Sequence, residues 1–306
     1  MKLLLLMACA SMLHARTFYV TVAGVGGEPE YDQRFAGWAK EIDKYLHSSG
    51  PDSHIETLHG ESATREHVRK ALTEIAAQSK PDDALVLMLI GHGSFDGVDY
   101  KLNLPGPDLS SSELAGLLDR IPASRQLVVN MTSASGASIE SLRKAGRAVI
   151  SATRAGTQRN LTVFPRFWVE ALRDPAADAD KNEVVTALEA YRYADQKTVK
   201  FYESQKRLAT EHALLEDTGK GVGVRAPAPD NGEGLLAARL PLLRIGAAQK
   251  LSQDPAKKKL FDRKEEIEAQ IDKLKYEKAA MPTDLYKKLL SQSLLELAQI
   301  QEELEK

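Results

Sequence analysis

The chain has 306 residues, of which 43% are hydrophobic and 27% are charged, so its composition is that of a globular protein. Its 41 basic and 43 acidic residues give a net charge of −2. This balance argues against a nucleic-acid partner, because nucleic-acid-binding domains carry a basic excess. No apolar run after residue 15 is long enough to cross a bilayer, so we expect no integral membrane span.

The first fifteen residues predict an export signal. Lys2 is followed by an apolar run from Leu3 to Leu13, and the small residue Ala15 comes shortly after it. We place the cleavage after Ala15 and expect the mature protein in the periplasm or outside the cell. A lipoprotein signal ending before Cys9 is one alternative, but its apolar core would be short. A ragged first strand is another.

Cys9 is the only cysteine, and it lies inside the predicted signal. The mature protein is therefore expected to have neither a disulfide nor a thiol nucleophile.

Between residues 17 and 175, short β-branched or apolar runs alternate with helical patterns. This alternation predicts a three-layer α/β domain, with helices on both faces of a mostly parallel sheet. The predicted elements, in chain order, are a strand at Thr17–Val22, a helix carrying Phe35 and Ile42, a strand at His54–Leu58, a helix capped by Thr64, a buried strand at Ala84–Ile90, a helix opened by a Ser110/Glu113 capping box, and buried strands at Gln126–Met131 and Arg147–Ala152. A long helix follows over residues 183–208.

The chain divides into an α/β domain over residues 16–245 and a helical unit over residues 246–306. Asp254-Pro255 is a typical helix start, and the apolar residues after it recur at heptad-like spacing. Met281-Pro282 interrupts the pattern, and a second amphipathic helix follows. We therefore predict a C-terminal α-helical hairpin, partly coiled-coil-like, that packs on its own domain. The alternative is an arm for protein contact or dimerisation.

Two small-residue motifs follow buried strands of the predicted sheet. Gly91-His92-Gly93 comes directly after one strand, and Thr132 to Gly136 comes directly after another and before a helix. Because ligands bind at the carboxyl ends of parallel strands, His92 and Ser133 are the candidate catalytic pair. Backbone N–H groups near Gly91, Gly93 and Gly136 are candidates for stabilising an oxyanion.

These two motifs resemble the legumain family of the caspase-like clan. The resemblance covers roughly residues 17–224 and includes Val149 to Arg154 as the fifth strand. It implies a caspase- or legumain-like fold and a histidine–cysteine dyad, in which His92 matches the histidine. Ser133 stands at the cysteine position, two residues before the Ser-Gly pair.

Serine at the position of the nucleophilic cysteine predicts that peptidase activity has been lost. A thiol has an ordinary pKa of about 8.5, whereas a serine hydroxyl needs a base that is itself oriented by a third group. Asp96 is a candidate for orienting His92. His212 is a further histidine that could face the site, although a surface loop is the favoured interpretation of its segment. Our first hypothesis is a degenerate peptidase that binds peptide or protein partners. The alternative is an active hydrolase that uses a Ser133–His92 dyad, and neither requires a cofactor.

One acidic segment has the spacing of a calcium loop. Its oxygen ligands would be Asp178, Asp180, Asn182, the carbonyl of Val184 and the carboxylate of Glu189. Glu183 stands where such loops carry glycine. The alternative is a solvated acidic turn that caps the long helix.

Overall fold

The computed structural model describes residues 15–47 and 53–306. The predicted export signal up to residue 14, including Cys9, lies outside these residues. The strands are β1 Thr17–Ala23, β2 Ser53–His59, β3 Ala84–Ile90, β4 Gly93–Phe95, β5 Tyr100–Leu102, β6 Leu109–Ser110, β7 Arg125–Asn130, β8 Arg147–Ser151, β9 Val184–Thr186, β10 Leu214–Glu216 and β11 Pro241–Arg244. The helices are α1 Pro29–Leu46, α2 Arg65–Gln78, α3 Ser111–Leu118, α4 Ile139–Leu142, α5 Phe164–Ala171, α6 Ala187–Ser204, α7 Leu235–Ala238, α8 Gly246–Gln253, α9 Lys258–Glu277 and α10 Thr283–Glu305.

The central sheet has six strands in the order β10-β8-β7-β3-β1-β2. All its neighbouring strands are parallel except β10, which runs antiparallel to β8. Strand β2 lies on one side of β1, and the next strand in the chain, β3, lies on the other, so the strand order reverses at β1. The predicted three-layer α/β class with a mostly parallel sheet is confirmed.

Strand β3 shows why the sheet is covered on both faces. All seven of its residues are buried, and successive side chains point to opposite faces. Val86, Met88 and Ile90 join a core that contains residues of α1, α5 and α6. The intervening leucines of β3 join a second core, which contains residues of α2, α3 and α4. An uninterrupted apolar run is therefore what this central position requires.

The capping prediction at Ser110 is half confirmed. The Ser110 hydroxyl accepts a hydrogen bond from the Glu113 N–H and starts α3. The carboxylate of Glu113 does not return to Ser110, because it pairs with Arg65 on α2 at 2.7 Å.

The C-terminal helical hairpin is confirmed, and it packs on the rest of the chain. Helices α9 and α10 lie against each other, and their apolar residues form a cluster that also takes in Val184 and Ala248. Arg244 adds an ion pair, since both of its guanidinium bonds to Glu265 are 2.8 Å long. No helix within the described ranges combines the length and hydropathy that crossing a membrane requires.

Candidate functional site

The topology brings the two predicted motifs side by side. Strands β3 and β7 are neighbours in the sheet, with Leu89 opposite Asn130. The Met131 N–H continues the ladder by donating to the Leu89 carbonyl at 2.9 Å. His92 and Ser133 therefore both follow the carboxyl ends of adjacent strands; the sequence predicts the strand ends, and the structure supplies the adjacency.

The Ser133 hydroxyl is bound to the main chain of Gly93. Its Oγ accepts a hydrogen bond from the Gly93 N–H and donates one to the Gly93 carbonyl, both at 3.0 Å. Ser133 is only 2% exposed. Among the described residues, Oγ makes no hydrogen bond to His92, so the two candidates are close in the fold but do not form a dyad in this conformation.

The His92 ring lies against aromatic side chains of α1. Its centroid is 5.5 Å from that of Phe35 and 6.0 Å from that of Tyr31, in nearly perpendicular arrangements. The His92 main-chain carbonyl accepts a hydrogen bond from the Asn103 N–H at 3.1 Å. Within residues 15–47 and 53–306, neither ring nitrogen has a hydrogen-bond partner. The imidazole is thus held by packing against these two rings.

Asp96 does not orient His92. Its carboxylate accepts hydrogen bonds from the Asp99 and Val98 N–H groups and from the Lys101 ammonium. The bond from Asp99, followed by the one from Lys101, holds the pKa of Asp96 well below its ordinary value. Asp96 therefore stabilises the β4–β5 turn, and the third member that a serine nucleophile needs is not supplied by this residue.

The three glycines of the predicted oxyanion site are required by close packing. A Cβ at Gly93 would collide with the Tyr100 ring, and one at Gly136 would collide with the main chain after β8. Gly91 has a φ of +141° and lies against Gly24 on the β1 side.

Two of the corresponding amides already have acceptors within the protein. The Gly93 N–H is bound to Ser133 Oγ, and the Gly136 N–H donates to Thr153 Oγ1 at 2.9 Å. An oxyanion would have to displace these acceptors before it could use either donor.

A buried hydroxyl network holds the turn after β7. Ser135 Oγ and Thr153 Oγ1 lie 3.2 Å apart, and the Thr153 N–H donates to Ser135 Oγ at 3.1 Å. Asn130 donates to Ser138 Oγ at 3.1 Å and accepts from Tyr100. The sequence motifs did not identify Thr153 or Tyr100 as members of this network. For Thr153, its position just after the end of β8 was a signal that could have suggested it.

His212 borders this turn. Gln158 joins them: its carbonyl accepts from the Ala134 N–H at 2.8 Å, and its Nε2 lies 2.6 Å from His212 Nδ1. Burial, together with the nearby positive charges of Arg154 and Arg225, lowers the pKa of His212. The imidazole is therefore disposed to be neutral beside the candidate site.

The predicted calcium loop places three carboxylates together. Oxygen atoms of Asp178, Asp180 and Glu189 all lie within 4.8 Å of one another. Burial and the neighbouring carboxylates of Glu189 and Asp178 raise the pKa of Asp180 to about 6. Glu183 has a φ of +66°, so it adopts the left-handed conformation that glycine gives such loops.

The other predicted ligands also take part in local bonds. The Asn182 side-chain oxygen accepts from the Val184 N–H at 2.8 Å, and Val184 itself pairs with Arg244 in the β9–β11 ladder. Glu189 accepts from the Thr186 N–H in the capping box that starts α6. Both the calcium site and the helix-capping turn therefore remain compatible with these contacts.

We expect calcium to raise the melting temperature by about 3 °C at millimolar excess, the size that a weak millimolar-range site gives by mass action. The physical reason is the repulsion among the three carboxylates, which a divalent cation relieves. Asp180→Asn should abolish the shift, whereas the exposed Asp230→Asn should retain it. Scanning calorimetry with calcium and with chelator measures this, and an equal shift in both variants would contradict a specific site.

A cavity lies elsewhere, at the opposite end of the sheet. It has a volume of about 1060 Å³ and is lined by residues at the amino ends of the strands, such as Thr17, Ala84 and Arg125, and by residues of α9. His92 and Ser133 lie at the opposite, carboxyl ends of the strands. This cavity is therefore separate from the candidate site.

No protein-family model and no curated protein matches the chain. Similar solved structures include protein GSU0716 from Geobacter sulfurreducens, with 12% identity, a TM-score of 0.47, and coverage of 76% of this chain and 99% of that one. They also include caspase-1 from Spodoptera frugiperda, at 12% identity and a TM-score of 0.46 over 67% of this chain and 87% of that one. The Drosophila initiator caspase Dronc gives 10% identity and a TM-score of 0.42 over 68% and 82% of the two chains. Likeness of this degree assigns no function, so the function must be argued from the site itself.

Proposed function

We propose that this chain is an exported, catalytically degenerate protein of peptidase type, which binds a peptide or protein at the carboxyl ends of the strands. The observation that carries the proposal is the state of Ser133. Its hydroxyl is buried and uses both its donor and its acceptor on Gly93. A hydroxyl bound in this way is not presented to a substrate carbonyl.

Among the described residues, no base and orienting group are assembled around the Ser133 hydroxyl. General-base activation requires a base within hydrogen-bond reach of the hydroxyl and a group that orients the base. His92 packs on Tyr31 and Phe35, and Asp96 is bound to its own turn and to Lys101. The geometry therefore supports binding better than catalysis.

The surface around the site offers groups for binding. Arg154 is exposed beside His212, and Ser94 is exposed on β4. Val98, at the tip of the β4–β5 hairpin, is 91% exposed. A charged group, a hydroxyl and an apolar tip around one edge of the sheet provide the mixed contacts that an extended peptide requires.

A working hydrolase is the second candidate. It is favoured by His92, whose ring nitrogens have no hydrogen-bond partner in the part of the chain that the structure describes. A change of rotamer at Ser133 would release Oγ from Gly93, and apo sites often tighten only when substrate binds.

Fluorophosphonate labelling separates the two candidates. We expect no labelling of the chain that begins at Arg16, because Ser133 Oγ is buried and bound to Gly93. Labelling that is lost in both Ser133→Ala and His92→Ala, but retained in the exposed-site control Ser94→Ala, would establish a Ser–His hydrolase and overturn the proposal.

Binding itself is tested with a displayed library of random peptides. We expect wild-type protein to enrich peptides whose binding is lost in Arg154→Glu. Binding should be kept in Arg120→Glu, which changes an exposed arginine between α3 and β7. Failure to enrich any peptide, together with absent labelling, would count against both uses of the site.

A further inference from the structure

Asp83 is a buried carboxylate at the amino end of the sheet. It directly precedes β3 and is only 2% exposed. Its Oδ2 accepts a hydrogen bond from the Lys80 N–H at 2.8 Å, and its Oδ1 accepts one from the Arg16 N–H at 2.7 Å. No lysine, arginine or histidine side chain in residues 15–47 or 53–306 forms an ion pair with it.

This arrangement leaves a negative charge without its counterpart. A carboxylate removed from water is costly unless it is both hydrogen-bonded and paired with a cation. The two amide N–H groups satisfy its lone pairs but bring no net charge. The site therefore lacks one positive charge.

The cut that the sequence predicts would supply that charge at one of these two donors. Hydrolysis breaks the bond between the Ala15 carbonyl carbon and the Arg16 nitrogen; water gives its hydroxyl to Ala15 and a hydrogen to Arg16. The new amine takes a proton from solvent, because an α-amino group has an ordinary pKa of about 7.7–8.0. The nitrogen 2.7 Å from Asp83 thereby becomes an ammonium.

We propose that export processing after Ala15 creates an ion pair between the α-ammonium of Arg16 and the carboxylate of Asp83, and that this pair fixes β1 in the mature sheet. Ala15 is exposed, so the bond to be cut is accessible. The Arg16 carbonyl already accepts from the Ala84 N–H at 2.9 Å, which holds the residue in place.

The Arg16 side chain does not compete for this carboxylate. Its guanidinium lies 5.4 Å from the centre of the Phe18 ring and donates to the Gln78 carbonyl. The proposed pair thus depends on the backbone nitrogen alone. If any residue remained before Arg16, the Arg16 nitrogen would stay a neutral peptide amide. The stability of the product therefore depends on the position of the cut.

The first test is the mass of the mature protein. The full 306-residue chain is expressed with export in a bacterial host, and the purified product is analysed by intact-mass spectrometry. We expect a chain that begins at Arg16. An unprocessed chain, or one that begins at another residue, would overturn the proposal.

The second test measures the ion pair. A chain that begins at Arg16 is compared with one that carries Gly-Ser before it, each in wild type, Asp83→Asn and the exposed neighbour Asp82→Asn. The free ammonium should raise the melting temperature by at least about 3 °C in wild type and in Asp82→Asn. The gain should vanish in Asp83→Asn, and a gain that persists there would refute the pairing.

A third measurement serves if Asp83→Asn does not fold. The α-amine of the wild-type chain is acylated with acetic anhydride at pH 7 and compared with that of the Gly-Ser-extended chain. Ion pairing should slow the reaction at least about tenfold, because each unit of raised pKa lowers the free-amine fraction tenfold. Equal rates would show that the ammonium is unpaired.

Discussion

Replacing Gly136 with alanine should destabilise the protein by about 3 kcal/mol, at the upper end of the range for overpacking. A Cβ at this position would collide with main-chain atoms of Thr153, Arg154 and Ala155, none of which is the end of a flexible side chain. Relief would require the turn after β7 and the turn after β8 to separate. That separation would also break the bond from the Gly136 N–H to Thr153.

The same chain provides a matched control for this substitution. Gly116 lies inside α3, and an added Cβ there would meet no atom within 4 Å. Gly116→Ala should therefore stabilise the protein by about 0.5–1 kcal/mol, the ordinary gain of alanine over glycine in a helix. Urea unfolding followed by circular dichroism measures both changes. A loss at Gly136 below about 1 kcal/mol would show that the two turns are not packed as the structure has them.

The contrast between these two glycines shows how far the sequence predicts the site. The apolar run of β3 and the motif after β7 are local features, and they correctly placed His92 and Ser133 after the carboxyl ends of buried strands, whereas the pairing of β3 with β7 came only from the structure. A glycine in a Ser-Gly turn suggests room for a substrate or a free amide. Only the approach of the chain after β8 shows that Gly136 is there to let two turns touch.

Side-chain direction was less predictable, since it depends on partners distant in sequence. Ser133 is bound by Gly93, forty residues earlier, and His92 packs on two rings of α1. No sequence motif predicts such contacts, because they form only when the sheet and the first helix pack together. The same holds for Asp83, whose partner Arg16 directly precedes the neighbouring strand β1.

Asp96 illustrates a different limit. Its closeness to His92 in sequence suggested an orienting role, but the short strand β4 separates them and places Asp96 in the β4–β5 turn. In β4 and β5 successive residues alternate between faces, and an aspartate near a tight turn competes well for the turn's own N–H groups. The Asp96 carboxylate therefore binds the N–H groups of its own turn instead of the His92 ring.

Replacing Glu211 with alanine should cost about 3 kcal/mol at pH 5. Glu211 is 3% exposed, and its two carboxyl oxygens accept from the N–H groups of Val163 and Phe164 at the start of α5. Tyr202 donates a third hydrogen bond at 2.9 Å. Alanine leaves these donors buried without their acceptor, and each unsatisfied group costs about 1–3 kcal/mol. Glu203→Ala, on the exposed side of α6, should change the stability by less than about 0.5 kcal/mol.

The pH dependence of this loss provides a second, independent check. Burial raises the pKa of Glu211 to about 7. Because the folded state holds the proton more tightly than the unfolded state, the contribution of Glu211 to stability is greatest below about pH 4.5, falls as the pH rises through 7, and is flat above that. Glu211→Ala lacks this component, so the loss of stability that it causes should be about 2 kcal/mol smaller at pH 8 than at pH 5.

Burial also raises the pKa of Glu233 to about 7, but that group titrates in both proteins and cancels in the difference. Chemical unfolding of both proteins at the two pH values measures the difference, and a loss that grows with pH would mean that the ionised form of Glu211 is the one the fold prefers.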